Sequence, residues 1–368
     1  MQWQSGAVVE ALAPQKVIVL RDRRVGLEAV VVVDNTACGP AIGGVRMAPD
    51  VGIDEVARLA RAMTLKNAAA GLPHGGGKAG IAADPGLNPG EKEALIRAFA
   101  RSIRDLLEYI PGPDMGTDET CMAWVHDEIN RAVGIPRVLG GIPLDVIGAT
   151  GLGLAVCAEV AQAYTGVDLK GARVAIQGFG AVGRHAARFL EARGTVTVAV
   201  ADSQGGVFNT GGLCLADLLE FKAGGHPVHR FPQGQPVTAE DFVGVDCDIW
   251  IPAARPDALT AGNVASLKAR LVLQGANIPA TAEAEEFLHR NGVISIPDFI
   301  ANAGGVICAS VEHQGGTEQQ ALDTIEEKVR QSTRAVLERS RQSGQSPRAA
   351  AEEIAWARVT EAEGYRRR

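Results

Sequence analysis

Two lysines and one aspartate occur in sequence settings that are typical of a binding site. Lys78 directly follows three consecutive glycines, 75–77, which we expect to form a turn where the missing side chains let a small molecule approach the backbone closely. Lys66 lies twelve residues upstream at the end of a helical pattern, and Asp114 lies in a segment rich in proline and glycine, 111–117. Two cations and a carboxylate can together bind an anion and transfer protons. The alternative is ordinary solvated surface charge, where most lysines are found.

Patterns of apolar residues predict the elements that position these side chains. Two β-branched apolar runs, 16–20 and 29–33, are typical of paired strands. A helical pattern begins near Asp54 and ends close to Lys66, and a second predicted helix covers about 91–108. The N-terminal part of the chain is therefore predicted to form a mixed sheet with helices that present the lysines and the aspartate.

A second motif, residues 178–183, has the form G-x-G-x-x-G. It follows a predicted buried strand, 173–177, and precedes a predicted helix, and Asp202 ends the next apolar strand. In this context the glycines allow close approach of a pyrophosphate, and the aspartate binds the adenosine ribose. A ligand-free glycine-rich turn is the alternative, which the surrounding pattern disfavours. Because the charge of Asp202 should repel a 2′-phosphate, we predict NAD as the cofactor, with NADP possible because small residues follow.

Further strands are predicted at 249–251, 271–274 and 293–296, each followed by a loop of small or polar residues. Ligands of doubly wound sheets bind beyond the carboxyl ends of the strands, so these loops should face the cofactor. The predicted cofactor-binding residues are Thr150, Gly178, Phe179, Gly180, Ala181, Val182, Gly183, Asp202, Ala253, Asn277 and Asn302.

The length of 368 residues is sufficient for two domains with separate cores. We predict an α/β protein with an N-terminal mixed-sheet domain at 1–145 for substrate binding and oligomerisation. A C-terminal doubly wound Rossmann domain is predicted at 146–315. The helices predicted within 316–368 should return to the first domain.

Composition limits the possible partners. The net charge of −7 and the aromatic content of 4% disfavour nucleic acid and anionic membrane surfaces. The six cysteines show no metal-ligand spacing, so we expect reduced thiols, no bound metal and a cytoplasmic protein. We also expect no apolar run long enough to span a bilayer.

Six segments resemble the glutamate/leucine/phenylalanine/valine dehydrogenases in their order and spacing, over nearly the whole chain. These segments are GPAIGGVRM (39–47), MTLKNAAAGLPHGGGKAGI (63–81), GPDMGT (112–117), GFGAVG (178–183), QGANIPAT (274–281) and NAGGV (302–306). The resemblance implies a homo-oligomeric enzyme that reversibly converts an L-amino acid into a 2-oxo acid and ammonium, with hydride transfer to a nicotinamide cofactor.

The resemblance also implies roles for individual residues. Lys66 would bind the substrate α-carboxylate, Lys78 would be the catalytic lysine, and Asp114 would exchange protons with the amino group. We expect Lys66 to lower the pKa of Lys78 through repulsion between like charges. We expect His74 to support the site without catalysing, and Arg46 to form a structural ion pair.

The side-chain pocket decides the predicted substrate. Glutamate-specific members carry a lysine and a serine for the distal carboxylate, where this chain has Ile42 and Ala309. An unpaired buried carboxylate costs at least several kcal/mol. We therefore predict an apolar substrate of the leucine, valine or phenylalanine type, bound against Ile42, Ala309 and Val306, with Gly43 and Gly44 as the pocket floor.

Two alternatives stay open. The segments 198–209 and 274–281 look more like glutamate dehydrogenases, which makes glutamate the alternative substrate. A non-catalytic dinucleotide-binding regulatory subunit is the other alternative. The presence of Lys66, Lys78 and Asp114 argues against that second possibility.

Overall fold

The structure is a computed structural model that describes residues 7–366 and, of Ala7, the backbone only. Two units are distinguished by their internal contacts. The first contains the described residues up to 144, together with 306–321 and those from 354 onward. The second contains 145–305 and 322–353.

The first unit is built on a mixed sheet, which among the described residues has the strand order β1-β2-β4-β3-β5. The predicted pairing of the first two apolar runs is confirmed, since β1 and β2 are antiparallel. β3 runs parallel to both of its neighbours. The strands are β1 (Lys16–Asp22), β2 (Leu27–Asn35), β3 (Ala41–Met47), β4 (Gly75–Ile81) and β5 (Tyr109–Pro113). The helices are α1 (Ala7–Leu12), α2 (Ile53–Ala69), α3 (Pro89–Ser102) and α4 (Glu119–Ile129).

The three consecutive glycines lie in a strand, β4, and not in an open turn. A methyl group on Gly76 would overlap the backbone nitrogen of Thr64 on α2, and one on Gly77 would lie 2.9 Å from the Tyr109 ring. The missing side chains therefore let α2 and the tyrosine pack directly against the strand. The expectation that these glycines open the chain to a small molecule is wrong for both positions.

The second unit is built on a sheet with the order β12-β11-β10-β6-β7-β8-β9. The strands from β12 to β7 are parallel, and β8 and β9 are antiparallel additions. The strands are β6 (Arg173–Gln177), β7 (Val196–Asp202), β8 (Gly205–Phe208), β9 (Gln235–Val237), β10 (Ile249–Pro252), β11 (Leu271–Leu273) and β12 (Ile294–Ile296). The chain order changes direction between β6 and β10, which is the point where doubly wound sheets bind ligands.

The remaining helices cover the second sheet or link the two units along the chain. The second unit contains the helices α5 (Leu144–Ile147), α6 (Ala149–Thr165), α7 (Ala181–Glu191), α8 (Leu215–Ala223), α9 (Ala282–Arg290) and α10 (Asp298–Ala301). The first residue of α5 belongs to the first unit. Also divided between the units are α11 (Gly304–His313), α12 (Glu318–Ser343) and α13 (Pro347–Gly364). Together with the two sheets, they confirm the predicted α/β class.

The C-terminal helices differ from the expectation that they pack on the first domain. Most of α12 belongs to the second unit, where Arg330 forms an ion pair of 2.9 Å with Glu159 on α6. Only the later part of α13 belongs to the first unit, where Arg358 donates hydrogen bonds to the carbonyl oxygens of Ala68 and Leu72. These contacts agree with the division of the two helices between the units.

One helical segment, Leu144–Thr165, is long and apolar enough to cross a membrane by length and composition. The expectation that no run would reach this length is therefore wrong. The segment is 67% buried inside the protein, and α6, its longer part, packs against α7 and β11. Such burial is typical of a core helix, so the composition is only a weak indication of a membrane span.

Candidate active site

The two predicted catalytic residues and Arg46 lie on, or directly after, three neighbouring strands of the first sheet. Lys78 is on β4, Asp114 directly follows β5, and Arg46 is on β3 between those strands. Side chains alternate along a strand, so Ile42, Gly44 and Arg46 share one face. A methyl group on Gly44 would lie 2.7 Å from Asp114 Cβ and 3.3 Å from Lys78 Nζ. Glycine at this position therefore makes room for both functional side chains.

Asp114 is paired with two cations at once. Its Oδ2 atom lies 2.9 Å from Lys78 Nζ and 3.0 Å from Arg46 Nε. The side chains of Lys78 and Asp114 are only 8% and 18% exposed, so the pair is largely removed from water. Arg46 also forms an ion pair of 2.5 Å with Glu55. The expected ion pair of Arg46 is therefore present, and one of its two partners is the aspartate of the site.

Burial and neighbouring charges change the pKa values of this pair. Burial lowers the pKa of Lys78 below its ordinary value; Asp114 opposes this effect and the charge of Arg46 adds to it. Burial raises the pKa of Asp114, but Lys78 and Arg46 more than offset it and hold the pKa below its ordinary value. The predicted lowering of the Lys78 pKa is confirmed. Its main cause is burial and not the expected repulsion by Lys66.

Lys66 lies in the last turn of α2. Met63 is three residues earlier and shares its side of the helix, and Met63 packs against the apolar cluster that contains Ile42. Asn67 Nδ2 donates a hydrogen bond of 2.6 Å to the carbonyl oxygen of Gly75, which holds the end of α2 on β4. Helical spacing therefore places Lys66 on the same side of α2 as Met63.

The predicted pocket residues come together in an apolar cluster of the first unit, which we call the wall cluster. Ile42 is 2% exposed and packs with Val306 and Ala309 of α11. The remaining members were not predicted from the sequence, because they come from a different strand, a loop and a helix that are distant along the chain. They are Ile110, Val133 and Met63.

Gly43 does not belong to the pocket floor. It faces the side of the sheet where Ala41 and Val45 enter a separate core, and a methyl group there would overlap the carbonyl oxygen of Gly77. Alternation along β3 places Gly43 on the opposite side from Gly44. The expectation for Gly43 is therefore wrong, and Gly44 alone lies beside the charged pair.

The glycine-rich turn of the second unit has the geometry of a phosphate-binding turn. Gly178 has φ of +105°, which favours glycine, and Gly183 packs so closely on the turn that a methyl group would overlap it. Around Gly180, no described atom lies within 4 Å of the position that a methyl group would take. Ala181 and Val182 begin α7, whose first turn has no side-chain cap. The turn therefore fits a pyrophosphate held by backbone N–H groups.

Asp202 ends β7 as predicted, but its carboxylate already has partners. Oδ2 accepts hydrogen bonds from Lys222 Nζ at 2.6 Å and from the backbone N–H of Val228 at 3.0 Å, and Oδ1 accepts one from Gln204 N at 2.9 Å. Burial raises the pKa of Asp202, but these partners more than offset it and lower the pKa. The predicted repulsion of a 2′-phosphate is therefore weakened, since Lys222 balances the charge.

The other predicted cofactor residues lie at neighbouring strand ends. A methyl group on the first glycine of the turn would lie 2.7 Å from the carbonyl carbon of Ala253. Asn302 Nδ2 donates a hydrogen bond of 3.0 Å to Asn277 Oδ1. Thr150 lies in the first turn of α6, beside the segment that carries Asn302. Phe179 is 1% exposed, so only its backbone can serve a ligand.

Comparison with known proteins adds a family assignment to this geometry. Residues 140–367 match the family described as Glutamate/Leucine/Phenylalanine/Valine dehydrogenase. Residues 14–131 match the Glu/Leu/Phe/Val dehydrogenase dimerisation domain. The two matches together cover most of the chain.

Individual relatives agree with these matches. A glutamate dehydrogenase from Thermotoga maritima is 42% identical over 291 residues, which span 76% of this chain and 70% of that protein. An NADP-specific glutamate dehydrogenase from Saccharolobus shibatae is 42% identical over 292 residues, 76% of this chain and 69% of that protein. The structure of a hetero-hexameric glutamate dehydrogenase from Thermus thermophilus in a leucine-bound form is 33% identical, with a TM-score of 0.85 over 97% of this chain and 91% of that chain. The chain therefore belongs to the glutamate/leucine/phenylalanine/valine dehydrogenase family.

Proposed function

We propose that this protein catalyses the reversible oxidative deamination of an L-amino acid with an apolar side chain. The products are the 2-oxo acid and ammonium, with hydride transfer to NAD and, less efficiently, to NADP. The observation that carries the general reaction is the buried pair of Lys78 and Asp114 beside Gly44. The observation that carries the apolar side chain is the wall cluster around Ile42.

The first task of the site is to bind the amino acid and neutralise its ammonium group. Lys66, on the helix that faces the pocket, binds the α-carboxylate. Asp114 is ionised because Lys78 and Arg46 hold its pKa down, so its carboxylate accepts a proton from the substrate ammonium. The amine then carries a lone pair, which is required for Cα to lose a hydride. A bound nicotinamide cofactor supplies the acceptor for that hydride.

The second task is to add water to the resulting iminium carbon. Burial lowers the pKa of Lys78 below its ordinary value, which favours its neutral amine as the base that takes a proton from the attacking water. The new ammonium then stabilises the oxygen of the addition product. Asp114 returns its proton to the departing nitrogen, which leaves as ammonia. The ammonia takes the hydroxyl proton, so the 2-oxo acid and ammonium result, and Lys78 releases the proton that it took from water to the solvent.

The wall cluster supports the choice of an apolar side chain. Ile42 is buried within the apolar wall cluster, so a substrate carboxylate placed against it would lose water without gaining a partner there. That loss costs at least several kcal/mol. An alkyl or aromatic side chain would instead gain about 0.8 kcal/mol for each buried CH₂ group.

Glutamate is the second candidate substrate, and the relatives favour it. The proteins from Thermotoga maritima and Saccharolobus shibatae, each 42% identical to this chain, are glutamate dehydrogenases. Overall similarity thus supports glutamate, whereas the residues of the wall cluster support an apolar substrate. We follow the wall cluster because specificity is set by the groups that contact the substrate side chain.

A substrate panel tests this choice. Purified protein is assayed with L-leucine, L-valine, L-phenylalanine and L-glutamate, each with NAD and with NADP. We expect kcat/KM for at least one apolar amino acid to exceed that for glutamate by at least ~10²-fold, given the cost of an unpaired buried carboxylate. Preference for glutamate would overturn the apolar assignment. Absence of turnover with all four would favour the regulatory-subunit alternative.

We further propose that the protein is a homo-oligomer. The match of residues 14–131 to a dimerisation domain supports this proposal. β1 is an edge strand of the first sheet on which Val17 and Val19 are 36% and 42% exposed, and exposed apolar edges are typical of interfaces. Light scattering that shows a monomer at micromolar concentration would contradict the proposal.

A further inference from the structure

A buried histidine joins the two segments that enclose the wall cluster. His74 precedes β4 and is 3% exposed. Its Nε2 atom lies 3.0 Å from Ser310 Oγ on α11, and its Nδ1 atom lies 3.3 Å from the carbonyl oxygen of Pro40, two residues before Ile42. Ser310 is 2% exposed. One imidazole therefore connects the strand that carries Ile42 to the helix that carries Ala309.

The chemistry of the partner atoms decides which atom donates in each of the two hydrogen bonds of His74. A carbonyl oxygen only accepts, so Nδ1 of His74 carries the hydrogen that is donated to Pro40. In the neutral imidazole, Nε2 is then an acceptor for the Ser310 hydroxyl. Burial lowers the pKa of His74, which favours this neutral form. Gln314 Nε2 lies 3.4 Å from Ser310 Oγ and can donate to it.

Ser310 lies on the side of α11 that carries two residues of the wall cluster. Residues three and four apart lie on the same side of an α-helix, so Val306 shares a side with Ala309 and Ser310. Two of these three belong to the wall cluster. A displacement of Ser310 would therefore move Val306 and Ala309 with it.

A second buried contact holds the other side of the same helix. Glu312 is 8% exposed, and its two carboxylate oxygens accept hydrogen bonds from the backbone N–H groups of Ile135 and Ile142, at 3.1 and 3.0 Å. Val133, another member of the wall cluster, lies two residues before Ile135. The part of α11 that lines the pocket is thus fixed at Ser310 towards β3 and at Glu312 towards the segment after Val133.

We propose that His74 and Ser310 are positioning residues that set the size of the side-chain pocket, by holding Val306 and Ala309 of α11 at a defined distance from Ile42. The proposal rests on the proposed amino acid dehydrogenase activity. Neither residue touches the reacting atoms. Their effect is on which apolar side chain fits, because a fully satisfied buried polar contact permits only a narrow range of geometries.

The contact can be removed without leaving a buried donor unpaired, because Gln314, which donates to Ser310 Oγ, is exposed and can bond to water instead. In the double variant His74→Phe with Ser310→Ala, both polar partners are replaced by apolar groups, a change that is often nearly neutral for stability. The carbonyl oxygen of Pro40 keeps its hydrogen bond of 3.1 Å from the backbone N–H of Gly75. Selectivity can therefore be measured in a protein that still folds.

The experiment compares kcat/KM for L-valine and L-phenylalanine in the wild type and in the variants His74→Phe, Ser310→Ala and their combination. We expect the ratio between the two amino acids to change at least about fivefold, since one methylene of pocket size alters discrimination by roughly tenfold or more. The change should appear in KM, with kcat within about twofold of the wild type. His74→Gln, whose amide oxygen keeps an acceptor for the Ser310 hydroxyl, should keep most of the wild-type ratio.

Matched controls separate positioning from general loss of stability. His289→Phe removes an imidazole contact to the carbonyl oxygen of Gly344 in the second unit, and Ser102→Ala removes a hydroxyl that bonds only within α3. Both controls should keep the wild-type ratio. A ratio that stays unchanged in the double variant, or a loss that lies entirely in kcat, would overturn the proposal. Wild-type protein inactive on L-leucine, L-valine and L-phenylalanine would overturn the proposed function, and this inference with it.

Discussion

Asp114 Oδ2 lies 2.9 Å from Lys78 Nζ, although 36 residues separate them in the chain. The contact joins the group that accepts the substrate proton to the base that activates water. Because both side chains are largely buried, each controls the protonation of the other. Arg46, which approaches the same oxygen, makes the site a cluster of three charges.

Removal of either member of this pair should abolish most of the activity. We expect Lys78→Ala and Asp114→Asn each to lower kcat by at least ~10²-fold, the usual scale for a lost acid–base group. Steady-state kinetics with the preferred amino acid measure the effect, and circular dichroism tests the fold. Lys92→Ala, which removes an exposed lysine on α3, is the matched control and should retain wild-type kcat. Near-wild-type turnover in either site variant would contradict the assigned roles.

The pH dependence of kcat/KM for deamination should change when Arg46 is substituted. The guanidinium lowers the pKa of Lys78 by repulsion and that of Asp114 by attraction. Loss of this cation in Arg46→Met should raise both pKa values, so more protons remain bound at any given pH. The ascending acid limb of the kcat/KM profile for deamination should therefore move to higher pH.

The profile of Arg97→Met provides the comparison. Arg97 pairs with Glu93 and Asp127 on α3 and α4, away from the charged cluster. Its substitution should leave the pH limb in place. A limb that moves to lower pH in Arg46→Met would contradict the sign of the argument.

Substitutions in the wall cluster should shift the substrate preference towards glutamate. Ile42→Lys combined with Ala309→Ser supplies a cation and a hydroxyl to a distal carboxylate, and charge-assisted hydrogen bonds are the stronger kind. We expect the ratio of kcat/KM for glutamate over the preferred apolar amino acid to rise at least ~10-fold, which corresponds to about 1.4 kcal/mol. Ile42→Met, which keeps an apolar group of similar size, should not raise this ratio. An unchanged ratio in the double variant would show that Ile42 does not face the substrate side chain.

Cofactor preference should depend on Lys222. Its ammonium balances Asp202 at 2.6 Å, so the wild type should accept NADP at a modest disadvantage. In Lys222→Met the Asp202 carboxylate loses its cationic partner. The ratio of kcat/KM for NADP over NAD should therefore fall about tenfold, which corresponds to about 1.4 kcal/mol. Binding of adenosine 2′,5′-bisphosphate, measured by calorimetry, should weaken in parallel.

Lys170→Met removes an exposed lysine of the same unit and should leave both measurements unchanged. A rise in the NADP ratio of Lys222→Met would mean that the lysine does not balance Asp202 in solution. An increase in affinity for the bisphosphate would lead to the same conclusion.

The sequence alone was sufficient wherever function depends on local backbone geometry. The turn 178–183 is recognisable because its glycines meet steric requirements of the turn itself, such as the positive φ of Gly178. Alternating and helical apolar patterns likewise predicted the two sheets and the helix that carries Lys66, since burial repeats with the period of each element. The motif around Lys78 and the family were recognisable for the same reason.

Only the tertiary structure decided which distant residues meet. Arg46 reaches Asp114 across 68 residues, Lys222 neutralises Asp202, and His74 bonds Ser310 across 236 residues. The glycines before Lys78 proved to make room for α2 rather than for a ligand. None of these relationships leaves a local pattern in the sequence, because charge balance and close packing depend on which elements become neighbours when the chain folds.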